Sequence, residues 1–142
     1  MSTYSVMDAL MASPTEPLPE RKRVFQLLKM YEALHSLEQD PNPTNYHWDT
    51  VNNALLMLEA LETMGKVEDP HKILEQAAEA LGKAGFRAME GQTLRLDGPA
   101  IPLIRGVLED YSVALNALPA RTMINAHRIA EQRVMKIIRK YK

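Results

Sequence analysis

Apolar residues recur at spacings of three and four along almost the whole chain, and alternation of period two is nearly absent. That pattern predicts amphipathic helices packed on one another. Between Glu20 and Leu37 the stripe is Val24, Leu27, Leu28, Tyr31 and Leu34. Between Thr44 and Met64 it is Trp48, Val51, Leu55, Leu58 and Leu61, and from Asp69 onward it is Ile73, Leu74, Ala77, Leu81 and Ala84. Leu103, Val107, Leu108, Tyr111 and Leu115 mark a helix ending near Leu118. Met123, His127, Ala130, Val134, Ile137 and Tyr141 follow at steps of four, three, four, three and four, a heptad-like seam. Ser2 to Met11 carries Tyr4, Met7, Leu10 and Met11 and predicts a short helix of its own.

The punctuation between these stripes supports the same division. Ser13 to Pro19 holds three prolines, which remove amide donors and restrict the residues before them, so it reads as an extended linker. Glu38 to Pro43 ends one helix, and Thr44 or Asn45 caps the next. Gly65 stands where a left-handed residue closes a helix, while Asp69-Pro70 and Asp97-Gly98-Pro99 are helix starts. Gly82 and Gly85 each cost about 1 kcal/mol inside a helix, so the helix through them either ends there or crosses a neighbour closely. Gln92 to Leu96 is the one segment that alternates, and it predicts an extended stretch. The expected fold is all-α: a bundle of four long helices over residues 20–142, preceded by a short N-terminal helix within a flexible arm and Pro-rich linker, residues 1–19.

Composition narrows the class. A hydrophobic fraction of 46% over 142 residues is that of a globular domain. A chain of this length buries about two-thirds of its unfolded surface without a disulfide or metal staple. There is no cysteine, hence no thiolate nucleophile or ligand. The longest apolar run, Ala54 to Leu58, is five residues, far short of the roughly 18–20 of a membrane span. The first twelve residues lack the basic start of a signal peptide, and a cytoplasmic protein with no membrane partner is expected.

Charge is sorted by position. Residues 119–142 hold seven Lys/Arg and one acid, an excess of +6, whereas residues 1–118 hold ten Lys/Arg and seventeen acids, −7; the whole is −1. Arg121, Asn125, Arg128, Gln132, Lys136 and Arg139 fall on one face of the last helix at spacings of three and four. Such a face is either a solvated surface whose cations favour the negative end of the helix dipole, or a contact for phosphates or an acidic partner.

Catalytic chemistry finds no foothold. No two of His35, His47, His71 and His127 lie closer than twelve residues, so no helical metal pair exists. Glu59/Glu62, Glu75/Glu79 and Glu109/Asp110 are solubility charges by their spacing. No phosphate-binding glycine loop or nucleophile elbow is present. No catalytic, cofactor-binding or metal residue is assigned, no cofactor is expected, and the protein is not expected to be an enzyme.

Trp48 to Gln132 resembles a type of small, uncharacterised all-helical protein carried on bacterial prophages and plasmids. The resemblance lies in Trp48 near a helix start, the helix end at Met64-Gly65, and the Ala-rich stretch Gln76 to Ala84. It continues in Leu96-Asp97-Gly98-Pro99 and Glu109-Asp110-Tyr111. It implies a mobile-element accessory protein and supplies no site residues. The expected function is a non-catalytic interaction or regulatory protein, binding a protein partner or a second copy of itself. The alternative is a small nucleic-acid-binding regulator using Arg121, Arg128, Arg133, Lys136 and Arg139.

Overall fold

In a computed structural model the described residues are 3–69 and 72–140. They form six helices: α1 (Val6–Met11), α2 (Glu20–Gln39), α3 (Asn45–Thr63), α4 (Ile73–Met89), α5 (Ala100–Ala117) and α6 (Ala120–Lys140). No strand occurs among the described residues. Five helices are long, one for each of the five apolar stripes between Glu20 and the C-terminal region and one more than the bundle of four long helices expected. None is long and apolar enough to cross a membrane.

Helix α3 is the centre, packing on α2, α4, α5 and α6. Val51, Ala54, Leu55, Met57, Leu58, Ala60 and Leu61 are all buried, so α3 is enclosed around most of its circumference. The sequence stripe of Val51, Leu55, Leu58 and Leu61 is one part of that surface. Ala54, Met57 and Ala60 supply the rest, and the small alanines let neighbouring helices approach. Helices α5 and α6 each pack on α3 and make little contact with one another, so the helix pair is not a compact helix-turn-helix unit.

The predicted punctuation is largely realised. Gly65 takes φ +73° after α3, with Lys66 N–H donating to Leu61 O at 2.9 Å. Thr44 begins α3 and its amide donates to Nδ1 of His47 at 3.0 Å, a histidine in the place of the usual capping-box acid. Asp69 caps α4 from further back than expected: its carboxylate accepts from the amides of Ile73 and Leu74 at 2.9 and 3.0 Å. Pro70, expected at the helix start, and His71 lie outside the described residues. Helix α4 runs through both glycines to Met89. The indole of Trp48 lies over Gly85, where an added Cβ would meet its ring at 3.4 Å, and its Nε1–H donates to Leu81 O at 2.9 Å. Gly82 faces open space.

The alternating stretch after α4 is extended, with Leu94 and Leu96 buried. It pairs with no strand. Instead it closes the end of α2: Leu96 N–H donates to Leu37 O at 2.9 Å and Arg95 Nε to Glu38 O at 3.0 Å. Carbonyls that a helix C-terminus leaves unpaired are thereby satisfied.

Two helices present faces other than those expected. In α2 the buried residues are Met30, Ala33, Leu34 and Leu37, while Val24, Leu28 and Tyr31 are exposed. The helix carries two apolar stripes, and the one holding Met30 and Leu37 won the core. In α6 the buried residues are Ala120, Met123, Ile124, Ala126 and Ala130. Ile137, expected on the seam, is 58% exposed, and Tyr141 lies outside the described residues. Arg133 reaches the last turns of α3 at Glu59 and Thr63. Beyond it α6 buries nothing more, having run past the helix that covers it.

Truncating the fully buried Leu61 to alanine is expected to lower stability by about 2–5 kcal/mol. Gly82→Ala, at an unobstructed helical site, should raise it by about 1 kcal/mol. Urea denaturation of the two variants checks both signs.

Candidate functional site

A cleft of about 580 Å³ has α3 as floor and α2 and α6 as walls. From α2 it takes Phe25, Gln26, Lys29 and Met30; from α3, Thr50, Asn53, Ala54 and Met57. From α6 it takes Met123, His127, Ala130 and Val134, the first four residues of the predicted seam, together with Ile124, Glu131 and Met135 beside them. Met30, Met57, Met123 and Met135 all line it. Unbranched thioethers make such a surface adaptable to differently shaped apolar occupants.

One end of the cleft is occupied by the segment before α2. Residues 3–18 lie along α6, so the expected arm is docked in this structure. Ser13 O and Glu16 O accept from the amides of Arg121 and Ala120 at 3.0 and 2.8 Å, which caps the α6 N-terminus. Leu18 is buried in the core. Arg121 donates from Nε to Ala9 O at 3.1 Å and from a terminal nitrogen to Leu10 O at 2.9 Å, closing the C-terminus of α1. The amide of Thr3 is shared between both carboxylate oxygens of Glu131, 3.1 Å from each. The Tyr4 ring stands edge-on to His127 with centroids 5.2 Å apart.

Electrostatics at this end follow from that contact. Partial burial works to raise the Glu131 carboxyl, but hydrogen bonds from Thr3 and the adjacent His127 outweigh it and hold the group below its ordinary value. Nδ1 of His127 lies 3.1 Å from Glu131 Oε1 yet off line for a hydrogen bond, so this buried nitrogen has no aligned partner. At the base of the cleft Tyr111 donates to Gln26 Oε1 at 3.3 Å. Burial first, and the neighbouring Tyr4 phenol second, push Tyr111 up to about 12.

The five cations singled out in the sequence divide into two groups. Arg121 holds α1, and Arg133 donates to Glu59 Oε1 at 3.0 Å and Thr63 Oγ1 at 2.7 Å, so both are spent on intramolecular contacts. Lys136 and Arg139 are exposed and Arg128 is half-buried. Arg139 stands in the last described turn of α6, where the dipole favours it. Among the three consecutive cations Arg21, Lys22 and Arg23 at the start of α2, Arg23 is likewise committed, to Leu18 O at 2.8 Å and Asn116 Oδ1 at 2.7 Å.

The acidic and histidine candidates stay apart. His47 belongs to the α3 cap, and Asp97 accepts from the Ala100 amide at 3.0 Å and pairs with Arg87 at 4.0 Å. Glu79 pairs with Lys83 on an exposed helix face. Among the described residues no three His, Asp or Glu side chains are placed to share a metal ion. Sequence reasoning placed Met123, His127, Ala130 and Val134 on one face, and all four line the cleft; it missed Ile124, Glu131 and Met135, each one position beyond a seam residue.

No family model, curated protein or solved structure matches the chain.

Because the Glu131 carboxyl is held low in the folded protein, its contribution to arm docking is complete above the ordinary glutamate value of 4.5 and is lost as pH falls through the lower folded value. The Thr3 amide resonance, followed by NMR from about pH 6 to pH 3, should move toward its unfolded position, and Glu131→Gln should abolish that titration.

Proposed function

We propose that the protein is a non-catalytic helical interaction protein that binds another protein through the cleft between α2 and α6. The observation that carries this is an open, methionine-lined cleft of about 580 Å³ whose rim exposes large apolar side chains. Phe25 is 63% and Met135 42% exposed. Val24, next to Phe25, and Ile138, one turn beyond Met135, are exposed as well. Two helical walls over a helical floor suit an amphipathic helix or an extended peptide laid in the groove. An accessory role on a mobile element, a cytoplasmic location and self-association belong to the same proposal. The first rests on the sequence resemblance, and the last on the apolar end of α6.

Substituting the rim tests this. In affinity capture from the source cell, proteins retained by the wild type should be lost with Phe25→Glu and with Met135→Glu. They should be kept with Phe86→Glu, an exposed phenylalanine on α4 away from the cleft. Equal retention by all three variants would refute the assignment.

Nucleic-acid binding is the second reading, favoured by the exposed Lys136 and Arg139 on the overhanging end of α6. With Arg121 and Arg133 engaged internally, three of the five cations remain to neutralise phosphates. The logarithm of the association constant should then fall with the logarithm of salt with a slope no steeper than about −3. A mobility-shift titration on duplex DNA and RNA measures it, and no shift at low salt removes this reading.

A further inference from the structure

Helix α1 is held in the manner of a bound peptide. It buries a single side chain, Ala9, and leaves Val6, Met7, Leu10 and Met11 facing solvent. A six-residue helix has no stability of its own in water. Three anchors fix it instead: the Arg121 fork on the Ala9 and Leu10 carbonyls, the Thr3 amide on Glu131, and the Tyr4 ring on His127. Thr3 and Tyr4 both line the cleft, as does the exposed Phe25. The linker that follows is attached separately, through Ser13, Glu16 and Leu18. Residues 3–12 can therefore leave while residues 13–19 stay.

We propose that the cleft is a peptide-binding site whose resident, displaceable ligand is the protein's own N-terminal arm. This rests on the protein-binding assignment above and adds the partner's chemistry and its control. The partner is a peptide segment that sets an aromatic side chain against His127 in place of Tyr4. It offers a backbone N–H to Glu131 and extends apolar side chains toward Phe25 and Met135. The arm covers Glu131 and His127 and leaves Phe25 and Met135 exposed, so an incoming segment can engage those apolar side chains first and displace the arm second. Tethering gives the arm an effective concentration in the millimolar range. A partner must therefore outcompete it, and its apparent affinity is lowered by the fraction of molecules in which the arm is docked.

The test uses the full-length protein and an acetylated, amidated peptide of residues 3–12, titrated while the amide resonances of His127 and Glu131 are followed by NMR. In Tyr4→Ala protein the peptide should bind saturably, with an apparent affinity at least tenfold tighter than for the wild type. A peptide carrying alanine for Tyr4 should not bind, and Glu131→Gln should weaken the peptide at least tenfold. Tyr4→Phe, which keeps the ring, should behave as wild type. Thermal melts of all variants establish that the bundle is intact, and the ratio between the two peptides on one protein is independent of any loss of stability. The proposal is overturned if Tyr4→Ala protein ignores the peptide, if wild type and variant bind it equally, or if the two peptides bind alike. Loss of capture by the rim variants together with no peptide binding would remove the resident arm alone. Capture insensitive to the rim would remove the protein-binding assignment instead.

Discussion

Everything in this bundle is referred to α3, a helix that must be dry around most of its circumference. Seven buried side chains over eleven residues, from Val51 to Leu61, cannot be covered by one neighbour. Four helices are recruited to do it, and the positions of α2, α4, α5 and α6 follow from where α3 needs cover. A helix buried on nearly every side is an interior helix, and its alanines set how closely the others approach. The cleft is a consequence of the same constraint. Helices α2 and α6 both lean on α3, but their side chains do not meet above it, so a trough remains with α3 as its floor.

The arm works against a different difficulty, the unpaired groups at helix ends. The α6 N-terminus and the α1 C-terminus come together at Ser13, Glu16 and Arg121, and each satisfies the other's backbone. The arginine that stands first in the basic face thus serves as a helix cap. Arg133 is similarly taken up by the end of α3. Much of the apparent basic arm is therefore internal stitching between an acidic body and its last helix, and the exposed part shrinks to the overhanging turns. On the body itself, burial first, then Asp69 and Glu109, raise the Asp110 carboxyl. Asp69 remains in that crowded place because it caps α4.

Helix extents were legible because they depend on local chemistry: prolines at 14, 17, 19, 41, 43 and 119, the left-handed Gly65, and the caps at Thr44, Asp69 and Asp97. Which face of each helix is buried was less legible. In α2 the stripe of Val24, Leu28 and Tyr31 is as regular as the one through Met30, Leu34 and Leu37, and only tertiary packing chooses between them. In α6 the predicted seam holds as far as Ala130 and then loses its meaning, because heptad spacing says nothing about where the covering helix stops. The docking of α1 joins residues more than a hundred positions apart through a backbone amide, two backbone carbonyls and an aromatic edge. None of these leaves a periodic trace in sequence.

The cleft and the arm also explain each other's composition. A floor and walls built for permanent burial would favour leucine and isoleucine, whose shapes specify one packing. Met30, Met57 and Met123 are buried beneath the cleft and Met135 is exposed at its edge, and their unbranched thioethers adjust to a change of occupant. An arm built for permanent docking would bury its apolar side chains. This one turns Val6, Met7, Leu10 and Met11 outward and holds on through hydrogen bonds and one aromatic edge. Those contacts are directional and few. That combination suits a segment that must be placed accurately and released readily.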